Sequence, residues 1–235
     1  MKKQELFDCI RGQMIVSCQA VQGEPLYVEE KSIMYLMARA AKQAGAPAIR
    51  TSSVRDVTAI KKETGLPVIG LVKIQYPGFE SYITPTMKEV DELIRAESDV
   101  VALDCTMRRR GDGRSINEFM TEVRNKYPDA VFMADISNYE EGINAYECGM
   151  DMVGTTMSGY TDYTPKLDMP DYALMNRLAA DISIPVIGEG KIHAPEQAVK
   201  ALQTGVWSIV VGGAITRPFE IANRFMKAIK EAEGL

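Results

Sequence analysis

Residues 185–218 read PVIGEGK, then IHAPEQAVKALQTGVW, then SIVVGGAITRP. The two outer pieces are short apolar runs that end in glycine, the pattern of a fully buried strand opening into a loop. The middle piece is helical in character. Glycine lets backbone N–H groups approach an oxyanion with no Cβ in the way, and a following helix adds the positive end of its dipole. Two such loops in succession suit the seventh and eighth units of a (β/α)8 barrel, where this fold places a phosphate site. On this reading Gly190, Gly212 and Gly213 cradle the phosphate, and Arg217 stands just past the second loop with a planar fork that fits it bidentately.

Working outward, the same strand-then-helix alternation recurs along the chain. Apolar runs at 14–20, 46–50, 67–73, 99–106, 130–137 and 151–157 precede the two in the opening stretch. Helical segments at 31–43, 54–64, 85–96, 115–126, 139–147, 172–181 and 219–233, with the interlude above, separate and follow them. Eight strands alternating with eight helices imply a parallel closed sheet: a single-domain (β/α)8 TIM barrel over residues 1–235, with 1–13 a helical extension at the N-terminus. A doubly wound open sheet explains the alternation but not eight units in so compact a length. The irregular stretch SGYTDYTPKLDMPDY, 158–172, is long enough to form a lid or a wall of the site.

Composition narrows the partners. The chain has 235 residues, 46% of them hydrophobic and 25% charged, so it can bury a sizeable core. A net charge of -5 gives no support to a nucleic-acid or membrane-surface partner. No apolar run has the length of a signal or a membrane span, and a cytoplasmic location is expected. Cys9, Cys18, Cys105 and Cys148 form no CxxC pair, and Cys18 and Cys105 sit in apolar runs as reduced, buried thiols. With His193 as the one histidine there is no HExxH and no His-rich cage, so no metal is expected. GEGKIH lacks the third glycine of a dinucleotide fingerprint, and no cofactor is expected either.

In a parallel barrel the C-terminal strand ends converge on one face, and polar residues there are the first candidates for chemistry. Here the ends carry Gln19, Arg50, Lys73, Asp104, Asp135 and Glu189. Asp104 is as readily a loop cap, and Arg50 and Asp135 are natural partners for each other. Lys73 stands apart, because it ends an apolar strand and is desolvated unless the mouth supplies partners. Burial beside Arg50 lowers such a lysine from its ordinary pKa toward neutrality. It then serves as a general base or as a Schiff-base nucleophile. Glu189, set between two glycines of the phosphate loop, places a carboxyl near the bound substrate. A lysine and a glutamate on opposite sides of one carbon are what inversion of that carbon requires.

Several stretches together resemble one family: IVSCQA at 15–20, EPL at 24–26, AIR at 48–50, PVIGLVK at 67–73, ITPTMKEVDEL at 83–93, MADIS at 133–137, the TT and SGYT of 155–161, the EG of VIGEG, and VVGGAITRPFEI at 210–221. They are similar to the N-acetylmannosamine-6-phosphate 2-epimerase family, and the resemblance runs from about residue 14 to residue 227. VVGGAITRP with IVSCQA is a specific pair of signatures. The run YVEEKSIM after EPL, Ile74-Gln75-Tyr76 after the lysine, and ALDCTMRRRGDG without a proline depart from the family pattern at the rim.

The resemblance implies a cytoplasmic isomerase of amino-sugar and sialic-acid catabolism, acting on a phosphosugar. It implies Lys73 and Glu189 as catalytic residues, and Gln19, Arg50, Asp135 and Arg217 as substrate contacts, with the backbone at Gly190, Gly212 and Gly213 around the phosphate. The reaction it implies is inversion at C2 of an N-acylhexosamine 6-phosphate by proton abstraction from the open-chain sugar. Two other readings stay open on the residues alone: a Schiff-base aldolase or lyase on a sugar phosphate, and a non-catalytic sugar-phosphate-binding protein. Oligomeric state is not legible, and a homodimer is compatible with the chain.

Overall fold

The computed structural model describes residues 1–233; the last two residues of the expected 1–235 domain lie outside the described residues. Eight parallel strands close into a barrel in sequence order. They are β1 (Met14–Ser17), β2 (Ile49–Ser52), β3 (Val68–Leu71), β4 (Val100–Asp104), β5 (Phe132–Asp135), β6 (Met152–Gly154), β7 (Val186–Glu189) and β8 (Ser208–Val211). The closing ladder runs between β1 and β8, with Met14 opposite Ile209 and Val16 opposite Val211. The expected barrel is the observed one. The strands are short and almost wholly buried because they face the barrel interior on one side and helices on the other.

The helices are α1 (Lys3–Ile10), α2 (Met34–Gln43), α3 (Val54–Thr64), α4 (Met87–Arg95), α5 (Ile116–Lys126), α6 (Tyr139–Glu147), α7 (Tyr172–Asp181), α8 (Pro195–Gln203) and α9 (Pro218–Glu233). Their starts follow local chemistry. Ser53, Ser115, Asn138 and Asp171 each accept a backbone N–H with the side chain at the first turn of α3, α5, α6 and α7. Gly65 ends α3 in the left-handed conformation, φ 65°, where a side chain is strained. Gly70 is glycine for a different reason: a Cβ there would lie 2.4 Å from Ser98 Oγ and 2.9 Å from Val57 Cγ2, so it permits close packing of helices on β3.

Two apolar layers result. The outer one packs strand residues such as Val16, Val101 and Val153 against Ala38, Ile60, Leu93, Phe119 and Leu178 from the helices. The inner one fills the barrel with Ile15, Ile69, Leu71, Ala102, Met133 and Ile187. It continues downward into Leu6, Phe7 and Ile10 of α1, which therefore closes the N-terminal end of the barrel. Trp207 locks that plug: its indole Nε1 donates to Phe7 O at 2.8 Å, and Gly12 N donates to Trp207 O at 2.7 Å. With the bottom packed, the open end is the one bearing the C-terminal strand ends.

The last helix departs from this scheme. Phe219, Phe225, Met226 and Ile229 of α9 are 58, 68, 56 and 51% exposed, so much of its apolar side rests on nothing among the described residues. Among the described residues, no helix is long and apolar enough to cross a membrane.

Candidate active site

Arg50 is the centre of the barrel mouth. It lies within β2, where Arg50 pairs with both Ser17 and Ile69 across the neighbouring ladders, and it is 1% exposed. Its Nη2 donates to Asp135 Oδ2 at 2.6 Å, and its Nη1 lies 3.2 Å from Glu189 Oε2 and 3.4 Å from Met133 Sδ. A buried guanidinium is tolerable because two carboxyl groups face it. Burial pulls it down, but Asp135 and Glu189 more than offset that and hold it above its ordinary value.

Glu189 ends β7, and the residues after β6 grip it twice. Thr155 Oγ1 donates to Glu189 O at 2.8 Å and accepts from Glu189 N at 3.0 Å. Thr156 Oγ1 lies 3.0 Å from Glu189 Oε2 and 2.5 Å from Asp135 Oδ1. Burial, reinforced by Asp135, raises the Glu189 carboxyl above the usual range; Arg50, a hydrogen bond donated by Thr156, and Lys73 oppose the shift.

Lys73 reaches the same cavity by a route the sequence does not show. β3 stops at Leu71, so Lys73 lies beyond the strand, and an antiparallel bridge to Ile83 holds its backbone. Thr84 N donates to Val72 O at 2.7 Å and Ile74 N to Tyr82 O at 3.0 Å on either side of it. Burial pushes the Lys73 ammonium down to about 8, helped by Arg217 and Arg50 and opposed by Glu189 and Glu24.

These groups line one cavity of about 260 Å³. Ser17, Gln19, Arg50, Lys73, Tyr82, Thr156, Tyr160, Glu189, Gly190, Lys191, His193, Gly212, Gly213, Arg217 and Glu220 all contribute to its wall. The wall expected from the stretch 158–172 is supplied by Tyr160 and, just ahead of it, Thr156 and Met157. At the glycine loops, Gly190 has φ +105° and Gly212 lets the chain pass Ser17, whose Cβ would be 3.2 Å from an added Cβ. Arg217 stands at their edge, ion-paired to Glu24 Oε1 at 3.1 Å and Glu220 Oε1 at 2.8 Å.

Of the residues singled out from sequence, Gln19, Arg50, Lys73, Glu189, Gly190, Gly212, Gly213 and Arg217 therefore meet around one space. Asp135 does not reach it. It is fully buried beneath Arg50 and Thr156, with both oxygens engaged, and acts on the site through those two residues. Asp104 is a loop cap: it accepts from Thr106 N and Oγ1 on one oxygen and from Arg108 on the other. Sequence reasoning missed Thr156, Tyr82, Glu24 and Glu220. The Thr155-Thr156 doublet at the end of an apolar run was the available signal for the first. Among the described residues, no group of three or more His, Cys, Asp or Glu is arranged to hold a metal ion.

A family model described as "Putative N-acetylmannosamine-6-phosphate epimerase" matches residues 34–231. The chain belongs to this family. It is 50% identical, over 97% of its length and 95% of the relative's, to a protein of that description, a 2-epimerase, from Caldanaerobacter subterraneus subsp. tengcongensis. It is 48% identical to one from Clostridioides difficile strain 630, covering 96% of this chain and 99% of that one. The solved structure of the N-acetylmannosamine-6-phosphate 2-epimerase from Clostridium perfringens superposes with a TM-score of 0.89 at 47% identity, over 95% of this chain and 96% of that one. The barrel and the epimerase family are thus those that the motifs implied.

Proposed function

We propose that the chain interconverts N-acetylmannosamine 6-phosphate and N-acetylglucosamine 6-phosphate by inverting C2, with Lys73 and Glu189 handling the proton. One observation carries this reading: a lysine lowered to about 8 and a carboxyl raised above its ordinary range line the same cavity. Each group is thereby brought toward the other's protonation range, which two-way proton transfer at one carbon needs. The open-chain sugar is the reacting form, because a free C1 aldehyde is what acidifies C2–H. Lys73 Nζ takes that proton, the C–H electron pair moves into an enediolate-like anion, and Glu189 returns a proton to the opposite face. In reverse the glutamate accepts and the lysine ammonium donates.

The remaining roles follow from what is left unpaired. Among the described residues, Gln19 Oε1 and Arg50 Nε are buried and without a hydrogen-bond partner. Both residues line the cavity, so a sugar amide N–H and an oxygen are the groups that complete them. Gly190, Gly212 and Gly213 receive the phosphate, and Arg217 clamps it. Asp135 holds Arg50 rather than the sugar. The whole unit, 1–235, works as one domain in the cytoplasm, where phosphosugars are made and consumed. The assay is epimerisation of N-acetylmannosamine 6-phosphate in deuterated water, read by NMR as the epimer ratio and deuterium at C2. No turnover and no exchange would sink the proposal.

Arg217→Ala is expected to raise KM about ten- to a hundredfold and to change kcat far less, since a phosphate clamp acts on ground and transition states alike. An equal fall in kcat and kcat/KM at unchanged KM would make Arg217 a catalytic group instead.

The unpartnered apolar residues of α9 point to a homodimer, in which a second copy covers Phe225, Met226 and Ile229. Light scattering after gel filtration is expected to give twice the 26.0 kDa of the chain, and Phe225→Asp with Ile229→Asp to give a monomer. A monomer in the unmodified protein overturns the assignment.

A further inference from the structure

The threonine doublet after β6 has work that the roles above do not cover. Thr156 Oγ1 sits between two carboxyl groups, 2.5 Å from Asp135 Oδ1 and 3.0 Å from Glu189 Oε2. A hydroxyl has one hydrogen, so it can donate to only one of them. The shorter contact is the length of an O–H···O⁻ bond to an ionised carboxylate, and that assigns the hydrogen to Asp135. Asp135 is fixed as the acceptor from its other side too, because its Oδ2 receives Arg50 Nη2 at 2.6 Å. The 3.0 Å contact to Glu189 then lacks a hydrogen unless Glu189 supplies one.

We propose that Thr156 is a positioning residue that keeps a proton on Glu189 in the substrate-free enzyme: its own hydrogen is committed to Asp135, so its oxygen accepts from a protonated Glu189 Oε2. No net proton moves in this arrangement. A single hydrogen belongs to Glu189, a second to Thr156, and Asp135 accepts from Thr156 and Arg50. Thr155, by holding both backbone groups of Glu189, keeps the carboxyl aimed at that oxygen. The chain thereby arms Glu189 as the acid and leaves Lys73 to be the base.

The net effect of the environment is to raise Glu189. Facing Glu189 are Arg50 from β2, Lys73 from the segment after β3, Asp135 from β5 and Tyr160 from the segment after β6. Burial and the negative charge of Asp135 favour the protonated carboxyl, while Arg50, Lys73 and any hydrogen bond donated by Thr156 favour the ionised one. The hydroxyl acts on top of this balance. As an acceptor it stabilises the acid; as a donor it would stabilise the carboxylate instead. Those two cases predict opposite effects of its removal.

The inference rests on the roles given to Lys73 and Glu189 above, so its test reads protonation directly, without turnover. Infrared difference spectra of the substrate-free protein follow the carboxylic-acid C=O band of Glu189, identified by its loss in Glu189→Gln, as pH is varied. In Thr156→Val, which keeps the shape and loses the hydroxyl, the midpoint of that band is expected to fall by about one pH unit, the worth of one hydrogen bond of ordinary strength. Thr156→Ser keeps the hydroxyl and is expected to restore the midpoint. In the epimerase assay kcat of Thr156→Val is expected to fall about ten- to a hundredfold with KM within about twofold, and Thr156→Ser to recover most of it. A midpoint that rises or stays put in Thr156→Val, or no Glu189 band near neutral pH in the unmodified protein, overturns the inference while leaving epimerisation intact. Thr156→Ser as impaired as Thr156→Val in both readouts also overturns it.

Discussion

Lys73→Ala is expected to lower kcat for epimerisation by about 10³-fold or more and, with N-acetylmannosamine 6-phosphate as substrate, to abolish deuterium wash-in at C2 with it. Both readouts depend on the same proton removal. Among the groups on the cavity wall, Arg50 and Arg217 do not act as bases, since a guanidinium does not give up its proton near neutrality. Gln19 carries a neutral amide, too weak a base to take a proton from carbon. Lys73→Arg is expected to be as inactive as the alanine variant although it keeps the charge, which separates a base from an electrostatic anchor. The pH dependence has a definite sign. Lys73 works in its neutral form, so the rate rises as pH climbs through about 8. At pH 7 roughly one molecule in ten then holds the neutral amine, against roughly one in three thousand for an unperturbed lysine. Retained activity in Lys73→Ala removes the lysine from the mechanism.

Arg50→Met is expected to unfold the protein at a temperature roughly 10 °C lower, from a loss of about 3–5 kcal/mol. Removing the guanidinium leaves Asp135 and Glu189 facing each other in the floor of the site with Thr156 alone between them. Methionine fills the volume but cannot compensate a buried carboxylate. Most of the penalty therefore belongs to the partners left behind, and Arg50→Met combined with Asp135→Asn is expected to regain a large part of the lost thermal stability. If the double variant is no more stable than the single one, the loss is one of packing and the ion pair is not what holds the floor. Activity should be gone in both, which makes calorimetry the deciding measurement.

The eight-unit barrel was legible because parallel strands buried on both faces must read as apolar runs, and glycine loops after the seventh and eighth can do little else but admit a ligand to the backbone. The residues of the cavity were legible for a related reason: Arg50 or Glu189 in an apolar run is too costly to be there without a purpose. What the sequence hides is how a side chain is delivered. Lys73 was expected at the end of a strand, yet β3 has already stopped, and its position depends on a bridge to Ile83 that no local pattern encodes. Asp135 was expected among the groups at the mouth, and a four-residue strand ending in Asp does not say that Arg50 and Thr156 engage its two oxygens. Thr156 was passed over because threonine after an apolar run is ordinary strand composition. The pairing of Arg217 with Glu24 joins the two ends of the barrel's sequence order, and periodicity carries no information at that range.

The ladder between β1 and β8 also has a bearing on how the protein is made. Its two halves are Met14–Ser17 and Ser208–Val211, so nearly the whole chain must leave the ribosome before the barrel can close. Until then β1 offers an unpaired edge, and Leu6, Phe7 and Ile10 of the plug lack the floor that Trp207 completes. At roughly 5–20 residues per second that exposure lasts roughly 10–40 s for every molecule synthesised. The nascent amino-terminal third is thus the segment most in need of a chaperone's cover, and strand β8 is the one whose arrival releases it.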